Sequence, residues 1–159
     1  MRNPIIKLGR TVGVLLASLF LSLVASTAGA QVATDRSVGV ILTGVNEEGA
    51  HWAGTQWTPI SGVLRKDAAL RVADDALMEA VATKTMTPQE AGAAMKVRYV
   101  LMGGVTAGSH AFRFDLKLFD AKDGKQLWAT VFQSDEDNIA TVPTEIGGQL
   151  IPALKAAAL

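Results

Sequence analysis

Hydrophobic and polar positions alternate most regularly over AFRFDLKLFD (111–120). There Phe112, Phe114, Leu116 and Leu118 interleave with Arg113, Asp115 and Lys117. A period of two with one polar side predicts a half-buried antiparallel strand. AKDGK (121–125) follows, and Asp123-Gly124 predicts a type I′ hairpin turn. QLWATVF (126–132) then returns as the partner strand. Upstream, Val97, Tyr99, Val100, Leu101 and Val105 predict a strand over 97–105, joined to the next by a short turn at TAGSH (106–110). Gly103-Gly104 inside it predicts a bulge or a close approach by a packed helix. A phosphate-cradling loop is excluded there, because no lysine stands at the required spacing. Residues 97–132 thus predict a three-strand antiparallel meander.

The flanks carry other periods. RSVGVILTG (36–44) reads as a buried strand and AALRVAD (68–74) as a second, short one. VNEEGAHWAGTQWTP (45–59) is polar and glycine-containing and reads as a long loop. After it, Ile60, Val63 and Leu64 fall at helical spacing, and Arg65-Lys66 suit a helix C-terminus. TPQEAGAAM (87–95) combines a capping threonine, a first-turn proline and Glu90 three residues on, which is a capping box. Ile139, Val142, Ile146, Leu150 and Leu154 mark one face of a closing helix, with a kink or an early end expected near Ile151 because of Pro152. The order predicts a single-domain α/β sandwich, a mixed sheet packed by helices.

The first 30 residues stand apart. Arg2, Lys7 and Arg10 precede the apolar core VGVLLASLFLSLV (12–24), and Ala28-Gly29-Ala30 supplies a small-x-small cleavage site. This is the pattern of a secretory signal peptide, and 13 apolar residues are short for a membrane span. With no cysteine in the chain, a lipid-anchored leader is excluded, so no stable membrane anchor is expected after cleavage. Residues 31–159 are then the mature domain, with 12 basic residues against 15 acidic. That mild acidity offers no footprint for nucleic acid, and the lack of cysteine excludes a disulfide framework.

VRYVLMGGVTAGSHAFRFDLKLFDAKDGKQLW (97–128) resembles the TolB amino-terminal-like family of bacterial envelope domains, whose relatives include CsgG- and FlgO-type proteins. The resemblance rests on Tyr99, Val100, Leu101, Gly103 and Val105, then Leu118, Asp120, Gly124, Leu127 and Trp128. It extends over roughly 87–154. The chain departs from the family in having no lipidation cysteine, no appended β-propeller and no pore-forming insertion. The resemblance implies an isolated envelope domain that binds other proteins in the periplasm or beyond, and implies no substrate.

Reactive groups are sparse. His51 and His110 are the only histidines. Glu47 and Glu48 near His51 make a weak metal set, and Ser109-His110 read as a solvated turn. Asp74-Asp75 and Asp135-Glu136-Asp137 read as helix caps and turns rather than a carboxylate pair across a cleft, with Asp137 suited to cap the last helix. Asp120 and Asp123 flank the hairpin turn, and Trp128 reads as a sheet-face residue packed on a helix. Neither cofactor nor metal is expected. The segment containing His51, Trp52 and Trp57 is a candidate contact surface, since two tryptophans in a polar loop either close the core or meet a partner. The expected function is a non-enzymatic, exported envelope domain working through an envelope protein partner. The alternative is a binder of small molecules or glycans through Trp52 and Trp57, and a carboxylate hydrolase ranks last.

Overall fold

A computed structural model describes residues 35–159; the expected signal peptide, 1–30, lies outside them. The chain runs β1 (Ser37–Gly44), α1 (Glu47–Arg65), β2 (Arg71–Val72), α2 (Asp75–Ala82), α3 (Pro88–Met95), β3 (Tyr99–Gly108), β4 (Ala111–Asp120), β5 (Gln126–Asp135), a short 3-10 turn at Ile139–Thr141, and α4 (Val142–Ala157). The strands form one sheet in the order β2-β1-β3-β4-β5, parallel between β2, β1 and β3 and antiparallel from β3 to β5. The α/β sandwich with a mixed sheet and the antiparallel meander is therefore present.

Strand register decides which face each side chain takes. Val40 pairs with Leu101, Leu101 with Leu118 and Leu118 with Trp128, so these share one face. α1 and α4 cover that face: the Tyr99 hydroxyl donates to the Ala157 carbonyl at 3.1 Å, and Val63 of α1 meets Gly147 of α4. Leu101, Leu118, Phe114, Ile60, Ile146 and Leu150 are all fully buried there. On the opposite face Met95 of α3 lies against Gly39, and Met78 of α2 reaches the backbone of Val40. These two short helices cover β1 and the start of β3, leaving the β4–β5 end of that face open.

The segment 45–59, expected as a loop, is the first two-thirds of helix α1. Gly49, Gly54 and Pro59 weaken the helical pattern in the sequence, but tertiary contacts override them. The Asn46 side chain accepts from Gly49 N at 2.9 Å as helix cap. It also donates to the Ala107 carbonyl and accepts from the Ala107 amide, at 2.7 and 3.2 Å, extending the sheet pattern past the end of β1. Gly49 touches the Val105 carbonyl so closely that a Cβ would overlap it. Pro59 is exposed, on the solvent side of α1.

Other expectations shift for local reasons. Pro152 does not end α4, which continues to Ala157; the proline is exposed, as is Gly148 one turn before it, on the solvent side of the helix. The 68–74 strand shrinks to Arg71–Val72, and the next residues form α2, which buries Met78 and Val81 three apart. Gly103 marks neither a bulge nor a helix contact: Leu116 and Leu42 fill the space over it, and the sheet irregularity falls between β4 and β5 at Leu118/Phe119. The hairpin turn is not type I′. Only Gly124 has positive φ, at 73°, and the loop closes by Gly124 N donating to the Asp120 carbonyl and Asp120 N to the Lys125 carbonyl, at 2.8 and 2.9 Å. The turn is built around the Asp120 carboxylate, which also accepts from Lys122 N.

Candidate functional site: an open sheet face and a free edge

The three residues expected to form a contact surface all lie on α1, and the helix separates them. Trp52 is half-buried with its ring edge-on to Phe112 of β4, centroids 4.6 Å apart. Trp57, also half-buried, packs against the core from another flank; five helical residues turn it about 140° from Trp52. His51 is exposed and stands edge-on to Trp52, at 6.0 Å between centroids. The indoles therefore close the core and share no single platform.

Most ionised groups are committed to structure. Arg98 grips Asp120 with two hydrogen bonds of 2.7 and 2.6 Å. Those bonds hold the Asp120 carboxyl below its ordinary range, against the opposing effect of burial. Arg113 holds Asp115 the same way on the open face, lowering that carboxyl too. Lys155 of α4 binds Asp67 at 2.6 Å, which depresses the Asp67 carboxyl. Arg65 pairs with Asp75, and Glu90 completes the capping box with Thr87, its carboxyl lowered by the Thr87 amide and hydroxyl. Asp135, rather than Asp137, organises the turn into α4 by accepting from Asn138 N and Nδ2 at 2.9 and 2.7 Å. His110 stands in the β3–β4 turn, 3.6 Å from Glu136, and His51 lies on α1.

Two of the concave regions among the described residues lie along β3, β4 and β5. One, of about 750 Å³, lies at the ends of β3, β4 and β5, with Phe112 in its lining and Arg113, Gln133, Asn138 and Glu145 among its polar groups. The other is a shallow hollow on the open face between Thr43, Met102, Lys117 and Phe119. Across the open face, β4 and β5 differ. β4 offers Arg113, Asp115 and Lys117 there, whereas β5 offers Ala129, Val131 and Gln133. Val131 is 47 % exposed and Leu127 36 %, among the few large apolar residues at the surface. β5 is also an edge: among the described residues its outer side has no strand partner. Val131 belongs to no motif in the sequence, and Leu127 stands out there only through the TolB amino-terminal resemblance. The signal was present, however, as an uncharged outward row in β5 beside the charged one in β4.

The fold has solved counterparts. It is similar to a TolB structure from Acinetobacter baumannii, with a TM-score of 0.56 and 14 % identity over 77 % of this chain; that match spans only 29 % of the TolB chain. It is also similar to the PelC dodecamer from Paraburkholderia phytofirmans, with a TM-score of 0.52 and 16 % identity, covering 77 % of this chain and 88 % of PelC. At those identities the likeness is one of fold. No protein-family profile matches the chain, and no curated protein matches it.

Proposed function

We propose that this chain is an exported, non-enzymatic domain of the bacterial envelope that acts through protein contacts as an accessory to a larger assembly. On this reading residues 1–30 are removed and the mature protein begins at Gln31, which the intact mass of the exported product checks. The observation that carries the proposal is the β4–β5 end of the sheet, where an uncovered face and an unpaired ten-residue strand expose Leu127 and Val131. A strand edge with open N–H and C=O groups is a docking element for protein. The fold shared with PelC, which was solved as a dodecamer, agrees with a role in assembly. So does the TolB amino-terminal resemblance, with its CsgG- and FlgO-type relatives. Engagement of the acidic groups by arginine, lysine and turn amides supports a structural reading of those carboxylates. The divergence of Trp52 and Trp57 gives a glycan platform no support.

The test is photo-crosslinking in intact cells producing the full chain, with the photoreactive residue at Val131 or, as a control, at exposed Glu79 on α2. The expected result is a discrete protein adduct from position 131 and none from 79. Equal labelling at both positions, or none at 131, overturns the proposal.

A further inference from the structure

We infer that the protein-contact edge just proposed is filled by a second copy of this chain, with β5 pairing antiparallel to β5 and Thr130 opposite Thr130. The inference rests on the contact role of that edge and adds the identity of the partner and the register.

Beyond the irregularity at its start, opposite Leu118/Phe119, β5 lacks the devices that keep an edge from pairing. It contains no proline, lysine or arginine, and its one charged residue, Asp135, sits at the end. Alternate residues direct their N–H and C=O groups outward, and Val131 adds apolar surface beside them. The charges just outside the strand then select the partner. Lys122 and Lys125 outnumber Asp123 before it, while Asp135, its last residue, is followed by Glu136 and Asp137. Two copies related by a two-fold axis run antiparallel, which sets the basic end of each against the acidic end of the other. A parallel pairing would set like charges together.

Face parity narrows the register. With the two-fold axis perpendicular to the sheet, residues directly opposite must lie on the same face. Trp128, Thr130 and Phe132 share the helix-covered face, and Ala129 and Val131 share the open one. Placing Thr130 on the axis puts Trp128 opposite Phe132 and Ala129 opposite Val131, and brings the Lys122–Lys125 end of each copy to the Asp135–Asp137 end of the other. Threonine, aromatic and opposite-charge pairs are all favourable cross-strand neighbours. Moving the axis to Val131 instead sets Phe132 opposite Thr130 and Trp128 opposite Ser134, which loses both the threonine pair and the aromatic pair.

The chain contains no cysteine, so single substitutions report the geometry directly. Exported protein purified from cells producing the full chain is expected to sediment as a monomer–dimer equilibrium. Thr130→Cys should form a covalent dimer under mild oxidation. Val131→Cys should do so at least about tenfold more slowly, because its own copy lies diagonal to it at about 7–8 Å. Lys125→Asp, exposed and outside the strand ladder, should weaken the dimer roughly tenfold by turning two symmetry-related attractions into repulsions. Adding Asp137→Lys, at an exposed residue of the acidic end, should restore it. A monomer at every concentration overturns self-pairing, as does faster bridging by Val131→Cys or an unchanged dimer in Lys125→Asp. If the monomer result comes with adducts from position 131 to other proteins only, the contact role survives and self-pairing fails. Absence of any adduct at 131 removes both.

Discussion

The two edges of this sheet are built in opposite ways. β2 is two residues long and carries Arg71, whose guanidinium donates to the Lys96 carbonyl at 2.9 Å. Its chain turns at once into α2, which helps to cover the neighbouring β1. A short, charged edge gives an incoming strand nothing to template on. β5 is ten residues long, uncharged until Asp135, and open on its outer side among the described residues. The difference teaches that the fold protects one margin and leaves the other available. Availability at β5 has no stabilising role within the monomer.

The largest test asks whether the two margins belong to one cooperative unit. Leu118 is fully buried, between Leu101 of β3 and Trp128 of β5. Leu118→Ala should cost about 2–5 kcal/mol in urea unfolding. Amides of β1 and β5 should lose exchange protection together; loss confined to β4 and β5 would split the sheet into two units and break the comparison.

A smaller effect is expected from Asn46, which ties the guarded half together by capping α1 and pairing the Ala107 backbone. Asn46→Ala should cost about 2 kcal/mol, read from the shift in the denaturation midpoint, since it removes a cap and leaves part-buried backbone groups unmatched.

On the open half, Asp120→Asn should cost about 1–2 kcal/mol near neutral pH, a figure discounted because Arg98 is partly exposed. The sign of its pH dependence follows from the native carboxyl titrating below its ordinary value of 3.8. Wild-type stabilisation by this group is complete above that value and is lost as the pH falls through the lowered native one. The gap between wild type and Asp120→Asn in unfolding free energy should therefore close in acid; a gap that widened there would contradict the pairing.

The smallest effects on folding separate the edges most sharply. Arg71→Ala and Val131→Lys should each change monomer stability by no more than about 0.5 kcal/mol, as exposed substitutions do. Only Val131→Lys should abolish photo-crosslinking by a reporter placed at the neighbouring Gln133. A matching loss in Arg71→Ala would show that the two edges are equivalent after all.

Much of the fold was written locally. The alternation in β4, the capping box at Thr87 and Glu90, and the 139–154 periodicity each correspond to an observed element, because period, cap and turn chemistry act over a few residues. α1 was not legible in the same way. Its glycines and Pro59 argue for a loop until Asn46 and Gly49 dock on β3, a strand about 60 residues further on. Trp52 and Trp57 are neighbours in one polar segment of the sequence, and helical geometry turns them apart.

What the sequence determined alone was therefore the strands of the meander, the capped start of α3, the apolar face of α4 and the export-type leader pattern. What only the tertiary structure decided was which strand ends the sheet and which half of its second face the helices leave bare. Strand order arises from pairing between distant segments, as when β1 joins β3 across the whole of α1 to α3. No local pattern of residues encodes that choice.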